Sequence, residues 1–244
     1  MRLCVDLREV NKAVVIDSFP LPHTEELLQA LVGAKYFSRL DLSSAYHQVI
    51  LCPESRDLTA FITHDGLLRF TRVCFGLASA PAAFQKMMAT ILKGCQQVCC
   101  YLDDIIVFGT TEEEHLKNIH EVLRRISEAG LRLNDKCIFN VQELSFLGHV
   151  VSERGVSPMQ SHVDAIIKAR APTDVTMLRS FLGMVGYYAK FIPRYAELAE
   201  PLRELLRKGE PFRWTAARED SFQKLKSLLS CEPLQMFNPK LPWL

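Results

Sequence analysis

Cys99-Cys100-Tyr101-Leu102-Asp103-Asp104-Ile105-Ile106-Val107-Phe108 is an apolar, β-branched run interrupted by two adjacent carboxylates. Flanks of this kind predict a buried β-hairpin. A carboxylate buried without a partner is costly, so Asp103 and Asp104 need compensation. A divalent metal would supply it. Asp-Asp is also an ordinary turn dipeptide, and this stretch alone leaves both readings open.

Upstream, Tyr36 to Leu42 predicts a strand with Asp41 near its end, before Ser43-Ser44-Ala45-Tyr46 turns the chain. Thr24 reads as the N-cap of a preceding helix, with Glu25 and Glu26 in its first turn, a Leu27, Leu28 and Leu31 stripe, and Gly33 as its end. The opening segment, Leu3 to Leu7, reads as a strand, and the chain looks cut at this end. His64-Asp65-Gly66 predicts a hairpin turn between Phe61 and Val73. Ser79 or Ala80 caps a helix whose Phe84, Met87, Met88, Ile91 and Leu92 recur at helical spacing up to Gly94. Those methionines read as core.

Downstream, Thr111 caps a helix with Glu112, Glu113 and Glu114 in its first turn; Leu116, Ile119, Leu123 and Ile126 share a face, and Gly130 closes it. His115 and His120 are five apart, off a shared face, and are not read as ligands. Strands return from 131 to 151, with Asn140-Val141-Gln142-Glu143 as a turn. Past Gly155 the pattern is helical: 160–169, 173–190, 195–208 with Pro201 bending or dividing it, and a helix capped by Thr215 running to about Ser230. The order predicts an α+β fold, helices on one face of an antiparallel sheet, with a domain boundary near 153–158.

Composition narrows the function class. The 244 residues are 48% hydrophobic, enough for a substantial core, and the formal net charge is +1, so any nucleic-acid contact must come from local basic patches. The eight cysteines lack paired CxxC or Cys/His spacing, which argues for buried free thiols of a reducing compartment rather than zinc. No apolar run reaches membrane-span length and the amino terminus is not a signal peptide. The chain reads as soluble and intracellular, cytoplasmic or nuclear, with no membrane partner. A Ca²⁺ loop of D-x-D-x-D-G type is absent.

Asp41 at a strand end and the Asp103–Asp104 pair on a hairpin turn could converge from neighbouring elements. Mg²⁺ takes one or two protein carboxylates and completes its shell with water and phosphates. Two such ions would serve phosphoryl or nucleotidyl transfer.

Eight stretches, 2–11, 17–22, 34–48, 75–85, 101–104, 131–137, 146–151 and 183–192, together resemble the reverse transcriptase of gypsy-class long-terminal-repeat retrotransposons, and retroviral polymerases more distantly. The resemblance implies a right-hand polymerase palm with partial fingers over 1–152, a helical thumb over 153–210, and a truncated start of a connection or ribonuclease H-like region over 211–244. It implies catalytic and metal carboxylates Asp41, Asp103 and Asp104, the first two bridging both Mg²⁺ ions and the third in support, with Mn²⁺ as a substitute. Lys136 matches a general acid. Tyr46 matches the side chain that rejects a ribose 2′-hydroxyl. Arg2, Leu42, Ser43, Ser44, Ala45, Phe75, Gly76 and Gln85 fall at dNTP-binding positions. Phe146, Leu147, Gly148 and His149 resemble the primer grip. Cys74 departs from the proline usual before Phe-Gly.

The implied partners are an RNA or DNA template-primer duplex and dNTPs, in an oligomer or polyprotein context. Ribonuclease H activity is not expected of this chain. Without the family, Tyr46 and Phe75 read as core aromatics, Lys136 as a loop lysine and His149 as a strand histidine. The alternative function is a catalytically inactive retroelement remnant that binds nucleic acid or protein.

Overall fold

The computed structural model describes residues 5–15 and 19–230. Arg2, the first part of the expected opening strand, and the tail beyond 230 lie outside the described residues. Contacts divide the chain into two compact units, 1–144 and 145–244.

In the first unit, β1 (Tyr36–Asp41), β4 (Val98–Tyr101), β5 (Asp104–Gly109) and β6 (Ile138–Val141) form a sheet of order β4-β5-β1-β6, with every pairing antiparallel. β2 (Phe61–Thr63) and β3 (Gly66–Leu68) make a separate hairpin closed by His64 and Asp65, as expected. Helices α1 (Arg8–Ala13), α2 (Thr24–Ala30), α3 (Ala80–Ile91) and α4 (Glu112–Glu128) complete the unit.

Strand alternation decides which side chains enter the core. Leu40 and Ile105 are cross-strand partners and pack with Phe84 and Met88 of α3 and Ile119, Val122 and Ile126 of α4. Each such buried side chain contributes about 1.5–3 kcal/mol of transfer free energy. The next partners along, Asp41 and Asp104, therefore project from the opposite face. That face is also covered: Ile106 is buried, and its cross-strand partner Cys99 reaches the Leu27 carbonyl.

Several local expectations need correction. Val5 to Leu7 are not a strand; they lead into α1, whose segment REVNKA has no buried residue and hence no apolar stripe to read. Thr24 is the first helical residue and makes no capping bond. Leu116 is exposed, and Val122 takes its place on the buried face of α4. Asn140 and Val141 belong to β6, so the break before β7 (Glu143–Phe146) narrows to Gln142. Thr111 does cap α4, its side chain accepting from the Glu114 amide.

β7 runs across the division between the units and joins β8 (His149–Ser152) and β9 (Gly155–Pro158) in a sheet of order β7-β8-β9. The sequence changes character at 153–158, but the contact boundary falls earlier. The reason is packing: His149 sits against Tyr187, Tyr188 and Phe191, which ties the β8–β9 hairpin to the helices that follow. Those helices are α5 (Gln160–Lys168), α6 (Val175–Tyr187), α7 (Tyr195–Glu204) and α8 (Ala216–Ser230). Phe181 of α6 and Phe222 of α8 meet with ring centroids 4.5 Å apart. α7 runs through Pro201 without dividing. No helix of the described residues is long and apolar enough to cross a membrane.

Candidate active site

The β4–β5 hairpin turns through Leu102 and Asp103. Tyr101 pairs with Asp104, and Leu102 adopts a left-handed φ of 55°. Such a conformation is strained for a branched residue, and the side chain of buried Gln85 holds it. Its amide nitrogen donates to the Cys100 carbonyl at 2.9 Å and its oxygen accepts from the Leu102 amide at 2.7 Å. Gln85 thus braces the turn that presents Asp103, and is not among the residues lining the cavity that Asp103 shares with Asp41. The resemblance puts Gln85 at the nucleotide; in the structure both of its side-chain hydrogen bonds go to the hairpin turn. Burial pushes the flanking Cys99 and Cys100 thiols up to about 11 and about 12, and both are free.

Asp41 and Asp103 line one cavity of about 450 Å³, together with Leu42, Ser43, Ser44, Ala45, Phe75 and Lys136 from the expected set. The strand end is fixed to the loop that carries Lys136. Leu42 bridges Leu133, the Asn134 amide donates to the Asp41 carbonyl at 3.0 Å, and the Lys136 amide donates to the Asn134 side chain at 2.7 Å. Ser44, at φ 51°, swings the chain from the strand into the tight turn Ala45–Gln48. His47, Phe70 and Asn134 also line the cavity and were missed. A lone histidine beside a candidate tyrosine gave no separate signal, yet its Nδ1 lies 3.1 Å from the Val73 carbonyl and its ring stands edge-on to Phe75.

Tyr46 does not line this cavity but backs it. Its ring is edge-on to Phe75 at 5.6 Å and to core Phe84 at 5.3 Å. Burial first, then the charge of Asp103, pushes its phenol up. Gly76 lies beyond Phe75 with φ 91°. Asn11 of α1 clamps this loop, donating to the Gly76 carbonyl at 2.8 Å and accepting from the Ala78 amide at 2.9 Å. Nothing in its sequence context marks Asn11 for that task.

Asp104 is half-buried, and burial first, then the charge of Asp103, pushes its carboxyl up. Asp41 adds to the effect and Arg39 opposes it. Three like charges thus influence one another with Arg39 in partial compensation, an arrangement that favours a cation. No group of three His, Cys, Asp or Glu side chains among the described residues forms a metal-binding cluster. Two carboxylates on an open cavity fit a hard ion such as Mg²⁺, which completes its shell from water and phosphate oxygens.

The four primer-grip candidates lie in the second unit. β7 ends at Phe146, Leu147 and Gly148 have φ of 46° and 70°, and His149 starts β8, which is a tight turn of the I′ kind. Tyr187 and Tyr188 donate their hydroxyls to the Leu147 and Gly148 carbonyls at 2.6 and 2.7 Å, and His162 Nδ1 lies 2.7 Å from the Tyr188 oxygen. His149 is buried, with Nδ1 bonded to the Leu147 carbonyl at 2.8 Å and Nε2 unpartnered among the described residues. Burial pushes its imidazole down to about 4. Buried His115 is structural, with Nε2 2.8 Å from the Ser38 hydroxyl.

The family described as reverse transcriptase (RNA-dependent DNA polymerase) matches residues 1–151. The chain is 40% identical over 243 residues to the retrovirus-related Pol polyprotein from transposon 412 of Drosophila melanogaster, covering 98% of this chain and 19% of that one. It is 35% identical over 237 residues to the transposon Tf2-3 polyprotein of Schizosaccharomyces pombe, covering 96% of this chain and 18% of the polyprotein. Foamy viral protease-reverse transcriptase in complex with dsDNA superposes with a TM-score of 0.86 at 28% identity, over 94% of this chain and 49% of that one. The same viral protein in complex with an RNA/DNA hybrid gives 0.81 at 28% identity, over 92% and 31%. The α+β order, the hairpin carboxylates and these matches along nearly the whole chain agree, and the chain belongs to the reverse transcriptase family.

Proposed function

We propose that the chain is an RNA-directed DNA polymerase module that adds dNTPs to a primer 3′-hydroxyl on an RNA or DNA template. The observation that carries this reading is Asp41 and Asp103 on the wall of one cavity with Lys136 and the Ser43–Ser44 loop. Residues 1–152 act as partial fingers and palm, 153–210 as thumb, and 211–244 as the start of a connection region. The foamy viral complexes with dsDNA and an RNA/DNA hybrid support a template-primer duplex as partner.

In the reaction the primer 3′-hydroxyl gives up its proton to solvent as its oxygen bonds to the α-phosphorus, the bond from that phosphorus to the α–β bridging oxygen breaks, and pyrophosphate leaves. Asp41 and Asp103 would hold two Mg²⁺ ions, or Mn²⁺ in their place, and Asp104 supports them from its strand. When bound, the ions acidify the attacking hydroxyl and stabilise the leaving oxygen. Lys136 Nζ gives a proton to the departing pyrophosphate. The Leu42–Ala45 backbone borders the triphosphate and, outside the described residues, Arg2 neutralises it. Tyr46, edge-on to Phe84 and to the cavity-lining Phe75, backs the wall that meets the sugar and leaves it no room for a ribose 2′-hydroxyl, so deoxynucleotides are preferred. The Phe146–His149 turn positions the primer end.

The intact carboxylate set favours catalysis over a silent binding module. Extension of a DNA primer on a homopolymer RNA template with Mg²⁺ or Mn²⁺ tests the reading. Activity is expected, and Asp103→Asn abolishes it. No extension by the unmodified chain, or extension that survives the substitution, refutes it.

A further inference from the structure

A second polar cavity, of about 390 Å³, adjoins the one that holds Asp41 and Asp103 and shares Ser43, Ser44 and His47 with it. Its remaining walls are Gln48, Arg72, Gly130 and Arg132, and no carboxylate is among its lining residues. The two arginines stand on a braced frame. The Gln48 side chain donates to the Ser43 and Arg132 carbonyls at 2.7 and 2.9 Å and accepts from the Arg132 amide at 2.7 Å. Arg72 bridges Ile50 and donates to the Gln48 carbonyl at 2.8 Å.

Charge sets these arginines apart. Arg69, Arg124 and Arg125 are paired with Asp57 and Glu121, whereas among the described residues no carboxylate pairs with Arg72 or Arg132. Two arginines that no carboxylate pairs with and two serines among the residues of one cavity bring the donor chemistry for phosphate oxygens. Apart from His47, no aromatic ring lines the space, so nothing there recognises a base. Single strands are held on stacking platforms, which this cavity lacks.

We propose that this cavity is a diphosphate subsite, taking inorganic pyrophosphate as it leaves the adjoining catalytic cavity. The inference rests on the polymerase reading for the origin of its ligand. Arg72 and Arg132 compensate the charge of pyrophosphate beyond Lys136, and Ser43 and Ser44 form the shared wall across which it passes.

The test uses the full chain without metal or primer, so it stands apart from whether the chain polymerises. Pyrophosphate is titrated calorimetrically into the unmodified protein, the Arg72→Ala/Arg132→Ala variant, and an Arg154→Ala/Arg213→Ala variant that loses the same charge elsewhere. Saturable binding that weakens by about tenfold or more only in the first variant is expected, because charge-assisted contacts are lost. If the alanine pair melts early, Arg72→Gln/Arg132→Gln is read in its place. No saturable binding, or equal weakening in both variants, overturns the proposal. So does pyrophosphate binding that is unchanged in the first variant while binding of a single-stranded oligonucleotide falls, which marks a nucleic-acid contact instead. Binding that is unchanged in the arginine variant and tightens in Asp103→Asn also overturns it, since the anion then sits beside the carboxylates, whose charge repels it.

Discussion

Gln85 links packing to chemistry at the scale of one side chain. It reads as a nucleotide contact by resemblance, but its amide closes both ends of the turn that carries Asp103. Gln85→Leu leaves the Leu102 amide and the Cys100 carbonyl unpaired at a cost of about 1–3 kcal/mol each. A lower melting temperature and a fall in kcat on a primer-template are expected; unchanged kcat would show that the turn does not need the brace. His149 gives a pH dependence of defined sign. Its imidazole titrates at about 4 in the fold and near 6.5 when unfolded. The stability it contributes is therefore complete above pH 6.5 and is lost as pH falls toward 4, by roughly 3 kcal/mol at most. Melting from pH 7 to pH 4 should show a steeper loss for the unmodified protein than for His149→Gln. Parallel curves would assign the acid sensitivity to other groups.

Among the elements, the Leu147–Gly148 turn is set by backbone conformation and by the two tyrosines on its carbonyls. A Cβ at Gly148 would sit 3.4 Å from both His162 and Tyr187 at a φ of 70°. Gly148→Ala should cost about 1 kcal/mol or more from the left-handed backbone alone, read as a drop in melting temperature. No drop would mean that the turn relaxes freely. Elements whose signal is local were legible in the sequence. Thr111 with its acidic first turn announced α4, and the apolar, β-branched flanks of Asp103–Asp104 announced β4 and β5. Elements held by distant partners were not. α1 buries no side chain and is tied to the rest through Asn11, which bonds to a loop 65 residues away. The β8–β9 hairpin belongs with the later helices because of ring contacts to His149, which no spacing encodes. In the same way, the cavity roles of His47 and Asn134 depend on a fold that brings residues 47, 75, 103 and 134 to one wall.

For the molecule as a whole, a net charge of +1 leaves no uniformly basic surface for nucleic acid. Binding must depend on local cations, and affinity for a primer-template should fall with rising salt. The chain spans 19% of the transposon 412 polyprotein that it matches, so its own capacity for chemistry is the central question. The proposed chemistry rests on Asp41 and Asp103 together, which share one cavity. Single-nucleotide incorporation measured in one turnover, with primer-template saturating and Mg²⁺ present, tests this directly for the unmodified protein, Asp41→Asn and Asp103→Asn. Each substitution should slow incorporation by about 10²–10³-fold or more, as loss of transition-state charge stabilisation does, with primer-template affinity retained. Incorporation within about tenfold of the unmodified rate in either variant would contradict the account.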